Sequence, residues 1–564
     1  MKFSEFKYER PNINDYEVEN KKLIQKVLDN TLTSDAVYNA VVNNFVFSDY
    51  FETMMSFCYV KNSIDTKDEF FEKERAFWDE NSPILQGCSH EMNEALLISP
   101  HRKYLEEKLG ELAFIQMEQS KKIFKEEIIP FIQEENKLAT EYQNIIASAK
   151  IEFDGLTYNL SQMAPFIQSI DRNVRKRAGL AVSQFFSTHE IEFDNIYDNL
   201  VKIRHQIAIV LGYDNFIQLG YDRMGRTDYN AFDVKTYRDQ IYNDAVPIVV
   251  DLERRKAERL RIKSPMHYDI VLSFLSGNPT PKGDRSWMVD KAKKMYDEMS
   301  EDTKEFFNFM VDNELLDLDS KSGKAGGGYC TYFPNMRSPF IFANFNGTSH
   351  DVDVLTHEAG HAFQCYQSRD LFPFYRWPTS EACEIHSMSM EFFAWSWIHL
   401  FFEKDTPKYK YNHLANAISF LPYGVTVDEF QHVIYANPDL SPDERKKVWR
   451  DIEKKYMPYK RYDEDQFLDK GTWWYRQGHI FDVPFYYIDY TLAQVCAFQY
   501  WIANNENHEK AWENYVGLCK LGGSKSFVGL INAVNIKNPF VKGSVKKIIE
   551  PIQKYLNSID DKKL

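Results

Sequence analysis

The segment TSHDVDVLTHEAGHAFQCYQ (348–367) sets His357, Glu358 and His361 in the order HExxH. In a helix, positions i and i+4 share one face, so both imidazoles can reach a single zinc ion while Glu358 stands beside the open coordination position. A carboxylate placed there can serve as general base toward the water that the metal activates. The segment carries helix signals of its own. Thr348 or Ser349 can cap it, Asp351 and Asp353 complement the positive end of the dipole, and no proline interrupts 341–371. Asp353, one turn before His357, is also placed to orient that ring. Two histidines alone are equally consistent with a hydrogen-bonded pair in the core, so the metal reading needs a third ligand.

A metzincin would require glycine at 364 and histidine at 367, and the chain has Gln364 and Gln367. The remaining source is a carboxylate from another helix. TSEACEIHSMSMEFFAW (379–395) offers Glu381, Glu384 and Glu391, spaced by 3 and 7 along one face of an otherwise apolar segment. Buried carboxylates need a partner, and a metal would account for all three. Two assignments stand: Glu384 as ligand with Glu391 behind it, or Glu381 as ligand, at a 20-residue offset from His361.

Aromatic residues form a third group. In GHIFDVPFYYIDY (478–490), Pro484 suits the first turn of a helix, from which Tyr490 shares a face with Tyr487 (i, i+3) or with Tyr486 (i, i+4). Alone, this stretch reads as aromatic core.

Together the three segments resemble the thimet oligopeptidase and oligoendopeptidase F family of zinc peptidases, and in particular its oligoendopeptidase F branch. The family's HExGH helix is similar to His357–His361. Its ligand helix, a glutamate followed by serine at the third and glutamate at the seventh position, is similar to Glu384, Ser387 and Glu391. The resemblance therefore implies one zinc per chain held by His357, His361 and Glu384, with Glu358 as general base and Glu391 supporting the ligands. The proline that often precedes that serine in the thimet branch is His386 here, which sets the chain outside that branch. From the third segment the resemblance implies His479 and Tyr490 as donors to the oxyanion. The spacing from His479 is one residue shorter than in thimet oligopeptidases, so the partner tyrosine stays open; Tyr487 is taken as the donor and Tyr486 as a substrate contact. The implied activity is hydrolysis of internal bonds in short peptides. The implied fold is a two-lobed, predominantly all-α body with a deep central channel. A zinc carboxypeptidase or dipeptidase, or a non-catalytic helical peptide-binding protein, are the alternatives.

The elements that must position these residues follow from composition. With 23 glycines and 21 prolines in 564 residues, turn formers are too scarce for a sandwich or propeller, and long helices are expected. Helical periodicity runs through 16–148 and resumes over 161–313. Between them, IEFDGLTYNL (151–160) flanks Asp154-Gly155 with β-type residues and predicts one small hairpin. The β-rich PFIFANFNGT (339–348) predicts an edge strand just ahead of the HExxH helix, where Phe342, Ala343 and Asn344 could hold an extended peptide by backbone hydrogen bonds. GKAGGGY (323–329) reads as a mobile lid or hinge, or as a plain connector. The expected division is an N-terminal helical lobe over 1–165 and a catalytic region over 166–564 that completes both lobes.

A net charge of −15, from 68 basic and 83 acidic residues, disfavours nucleic acid and anionic membranes as partners. The basic helix at 251–263 interleaves Glu253 and Glu258 and reads as a solvated face. GLCKLGGSKS (517–526) lacks the lysine directly after its second glycine that a phosphate loop needs. Seven dispersed cysteines without a CxxC pair, no signal-like N-terminus and no long apolar span predict a cytoplasmic protein that acts on oligopeptides, with its oligomeric state undetermined.

Overall fold

Scarce turn residues translate into long helices, among them Ser34–Ile64, Glu69–Ile98 and Thr406–Ala436. This computed structural model describes residues 2–321 and 323–564. Strands are few and short: β1 (Ile151–Phe153), β2 (Leu156–Tyr158), β3 (Leu316–Asp319), β4 (Tyr329–Phe333) and β5 (Ser338–Phe345). The fold is predominantly all-α. None of the helices of the described residues is long and apolar enough to cross a membrane. The seven cysteines are all free thiols.

By its contacts the chain forms two units. The first takes Met1–Lys122, Thr280–Lys404 and Tyr500–Ile536; the second takes Ile123–Pro279, Asp405–Gln499 and Lys537–Leu564. The first boundary thus falls well ahead of residue 165. The reason lies in the helix Ile129–Ala147, which buries its face in the second unit: Tyr142 stacks on Phe481 at 3.9 Å and donates to the Tyr475 carbonyl, and Glu135 pairs with Arg204.

The hairpin forms as the Asp-Gly pair predicts. β1 and β2 pair antiparallel, Phe153 opposite Leu156, across Asp154 (φ +49°) and Gly155 (φ +83°), the two positive φ angles a type I′ turn demands.

In the first unit, β3, β5 and β4 form one sheet with β5 in the centre, parallel to β3 and antiparallel to β4. This corrects the expectation for 339–348. β5 is no edge: Phe342 lies opposite Asp317 on one side and Tyr329 on the other. Phe342 and Ala343 are fully buried, and the Asn344 amide donates to the Ala325 and Gly327 carbonyls. A run of Phe, Ile and Ala without alternation is the pattern of a strand covered on both faces, which an edge strand is not.

The glycine-rich connector is pinned rather than loose along its first half. The Lys324 ammonium, with its side chain fully buried, donates to Asp317 and to the Asp319 and Ala343 carbonyls and lies 4.4 Å over the Phe342 ring. Only Gly326, Gly327 and Gly328 remain exposed before β4 begins.

Candidate functional site

Two helices of the first unit carry the HExxH residues and the acidic segment. α1 (His350–Gln367) follows β5, and the turn between them is braced by Asp351, whose buried carboxylate accepts from the Asn346 and Gly347 amides at 2.8 and 2.7 Å. Burial raises the Asp351 pKa against those two bonds. Ser349 takes the N-cap position without a side-chain cap bond, and the Thr348 hydroxyl donates to Asn346, so Asp351 holds this helix start in their place. α2 (Ser380–Phe393) lies against α1 at Gly360. A Cβ there would fall 2.6 Å from the Ser387 Cα and 2.7 Å from the His386 carbonyl oxygen. No other residue type permits this approach, which brings the histidines of one helix to the carboxylates of the other.

The result is a convergent donor set. Nε2 of His357 lies 3.2 Å and Nε2 of His361 3.5 Å from the same Glu384 oxygen, and the three ligand atoms all fall within 4.8 Å of one another. Among the described residues, this is the group of histidines and acids with metal-site geometry, and Glu381 is not part of it. The Ser387 hydroxyl donates to Glu384 at 2.9 Å, and Glu391 accepts from Nδ1 of His357 at 2.7 Å. A proton on Nδ1 leaves Nε2 with its lone pair facing the other two donors. Asp353, also expected to orient His357, lies one turn before it in the same helix, where its backbone carbonyl accepts from the Thr356 hydroxyl.

Electrostatics bind the group together. Burial disfavours a charged His357, yet the hydrogen bonds it makes to Glu384 and Glu391 outweigh it and hold the imidazole well above its ordinary range. Burial likewise opposes ionised Glu384, and the charges of His361 and His357 overcome it, so its carboxyl titrates well below the usual range. A divalent cation competes with protons for these same lone pairs, so binding releases protons. Two imidazole nitrogens and one carboxylate oxygen match a zinc site that keeps a fourth position open, and the residues present fit that ion.

Glu358 is not one of the three donors, though it lies near enough to His357, His361 and Glu384 to feel their charges. It is buried, burial raises its pKa, and its Oε2 makes no hydrogen bond. A Cβ on Gly328 would sit 3.7 Å from its other oxygen, so the last exposed glycine before β4 passes beside it. His386, the departure from the thimet pattern, is a core residue: burial lowers its pKa to about 3, and its carbonyl accepts from Tyr515.

The aromatic group stands in the second unit. His479 lies on the one-turn helix α3 (Gly478–Asp482), and the tyrosines cluster at the start of α4 (Tyr487–Glu506). The His479 ring centroid is 5.4 Å from Tyr486, 5.2 Å from Tyr487 and 5.7 Å from Tyr490, and the Tyr490 hydroxyl is 3.4 Å from Nε2. All four are half-buried, whereas Phe485, Ile488 and Asp489 on the other side are fully buried. Burial raises the Tyr487 pKa well above its ordinary value, keeping the phenol protonated as a donor. Pro484 is not in the first turn of the helix. It occupies a separate turn, because Phe485 takes φ +68° and breaks the helical path until Tyr487.

Two residues here have no signal in the sequence. The Tyr423 hydroxyl donates to Oε1 of Gln477 at 2.8 Å, and Nε2 of Gln477 lies 2.8 Å from Nδ1 of His479. With the amide so oriented, Nδ1 accepts and the ring proton sits on Nε2, as an N–H aimed among the tyrosines. Tyr423 is 56 positions from His479, and no local pattern links them.

Profile comparison matches residues 3–124 to the peptidase M3 N-terminal domain and residues 290–549 to peptidase family M3. A protein named oligoendopeptidase F homolog, from Borreliella burgdorferi (strain ATCC 35210 / DSM 4680 / CIP 102532 / B31), is 26% identical over 445 residues, covering 74% of this chain and 72% of its own. Among solved structures, PZ peptidase A with an inhibitor is 50% identical over the whole of both chains, with a TM-score of 0.95. A Bacillus anthracis str. Ames protein provisionally named oligoendopeptidase F is 48% identical, covering 100% of this chain and 99% of its own, with a TM-score of 0.91.

Proposed function

Because the chain belongs to peptidase family M3, in its oligoendopeptidase F branch, and is on that ground a peptide-bond hydrolase of the metallo-oligopeptidase type, we propose that it is a zinc-dependent endopeptidase cutting internal bonds of short peptides. The observation that carries this reading is the meeting of His357, His361 and Glu384 on one point beside a buried, unbonded Glu358 oxygen. Zinc held by those three residues supplies Lewis acidity, lowering the pKa of a water to about 7 and polarising a carbonyl.

The chain's own residues do the rest. Glu358 takes the proton of the attacking water and passes it to the leaving amine. Glu391 keeps the His357 proton on Nδ1, and Ser387 holds Glu384. His479 through Nε2–H, and Tyr490 with Tyr487 through their hydroxyls, donate to the oxyanion as it forms. Gln477 keeps His479 in the donor tautomer. The substrate backbone pairs with β4 rather than β5, since among the described residues β4 is hydrogen-bonded as a strand only to β5 and is entered through Gly328, which passes Glu358. Phe342, Ala343 and Asn344 then shape that strand from behind. Peptide binding through backbone bonds tolerates many sequences, in keeping with an oligopeptidase.

A Glu358→Gln variant tests the mechanism. Its zinc content should equal that of the parent while hydrolysis of an internally quenched peptide falls by about 100- to 10,000-fold. Unchanged turnover would sink the assignment of the base. Mass spectrometry of the digest separates internal from terminal cleavage.

A further inference from the structure

The connection from His479 to Tyr490 is gripped from behind by two buried arginines. Arg204, completely buried, divides its guanidinium between side chains and main chain: Nε pairs with Glu135 at 2.6 Å, Nη1 reaches the Tyr435 hydroxyl and the Ile480 carbonyl, and Nη2 bonds the Phe481 carbonyl. Ile480 and Phe481 lie in the one-turn helix that carries His479, too short to satisfy its own carbonyls. Arg226 repeats the arrangement five residues on. Its Nη2 donates to the Phe485 carbonyl and, at 2.7 Å, to Asp489, with both side chains of that ion pair fully buried.

Phe485 between them is the strained point. A bulky residue at φ +68° is an outlier that persists only where its surroundings over-determine it. Here every group of the residue is held. Its N–H donates to Gln431 at 2.9 Å, its carbonyl accepts from Arg226, and its ring fills a slot opened by Gly220, where a Cβ would fall 2.5 Å from the ring. The next residues along the chain are Tyr486 and Tyr487, and Asp489 directly precedes Tyr490.

We propose that Arg226, with Arg204, Gln431 and the left-handed Phe485, is a positioning residue for the hydrolytic reaction: the clamp fixes the turn that aims Tyr487 and Tyr490 at their hydrogen-bond acceptor. A pair that served stability alone would be satisfied by its carboxylate. These guanidiniums instead spend donors on three main-chain carbonyls between residues 480 and 485, the stretch that joins His479 to the tyrosines. The fixed fork of arginine can bridge a carbonyl and a carboxylate, which a lysine ammonium on a flexible stem does not reproduce. The proposal rests on the reading of His479, Tyr487 and Tyr490 as oxyanion donors.

The test is a double-mutant cycle on the full-length, zinc-loaded enzyme, with kcat and KM measured on one quenched peptide well below the melting temperature. Arg226→Lys should keep full zinc content and a KM near the parent's, while kcat falls by about 10- to 100-fold, the loss expected of catalytic groups displaced by about an ångström. Tyr490→Phe should be costly in the parent and much less costly in the Arg226→Lys background, because a misaimed hydroxyl has little left to lose. A parental kcat in Arg226→Lys, or losses that simply multiply, overturns the clamp. A parental kcat in Tyr490→Phe alone overturns instead the donor reading beneath it, and the clamp's catalytic role with it. If Arg226→Lys does not fold, Gln431→Met, which releases the Phe485 N–H and gives up one bond to the Val427 carbonyl within its own helix, takes its place in the cycle with the same expected non-additivity, and multiplying losses there overturn the proposal equally.

Discussion

The two candidate groups of this chain, the His–Glu cluster and the His–Tyr cluster, are built on opposite principles. In the first unit, charge density makes the site: two histidines and two glutamates hold one another at 2.7 to 3.5 Å on two helices that touch through Gly360. In the second unit the reactive side chains are neutral and half-buried. Their rings meet edge to face at 5.1 to 5.7 Å, and the buried charges sit behind them on the backbone. The contrast teaches that a metal site is specified by its ligands' mutual electrostatics, whereas a group of weak donors must be aimed by structure that takes no part in the chemistry.

That contrast can be broken or sharpened by four variants, all assayed for both zinc content and turnover. Glu384→Ala carries the largest expected effect: zinc and activity are lost together, turnover by on the order of 1,000-fold or more. Zinc retention at parental affinity would show that Glu384 is not a ligand. Tyr490→Phe comes next, with kcat down about 100- to 1,000-fold and the metal content untouched. A drop in bound zinc in this variant would erase the separation between the two groups. Glu391→Ala should weaken zinc affinity by about 10- to 100-fold through the loosened His357 ring, read by competition with a chelator of known affinity. An affinity equal to the parent's would remove Glu391 from the site's support. Gln477→Met is the mildest, with kcat reduced about tenfold or less, since a neutral imidazole samples both tautomers and only the bias is lost. A larger loss accompanied by zinc release would place Gln477 with the first group rather than the second.

The same contrast explains how much of the fold and the site is legible in the sequence. HExxH at 357–361 and the Glu384, Ser387, Glu391 spacing are patterns of helix geometry, so the residues that the structure brings together were visible as candidates. What stayed open was the choice between Glu381 and Glu384, because both lie on one helical face and only the approach of α1 at Gly360 decides which carboxylate meets the histidines. For the tyrosines, residue types pointed to a shared face, but the expected helical turn at Pro484 is absent. The turn at Phe485 depends on Arg226, Gln431 and Gly220, none of which lies within 50 residues of it. The strand at 338–345 failed for a related reason. Its apolar run declared a strand, but whether a strand is central or at an edge is a property of its neighbours, and here β3 and β4 both pair with it.

By itself, then, the sequence determined what local geometry encodes: an all-α body, a hairpin at Asp154-Gly155, and ligands recurring at 4 and 7 positions along two helices. Those features depend on dihedral preferences and on the helical period, which act over a few residues. Tertiary structure alone decided which carboxylate completes the metal site, which strand borders Glu358, which nitrogen of His479 holds its proton, and where the chain passes between its two units. Each of these turns on groups far apart in the chain meeting in a low-dielectric interior, where an unmatched charge or donor is costly and the set of partners, rather than any single residue, is what the fold selects.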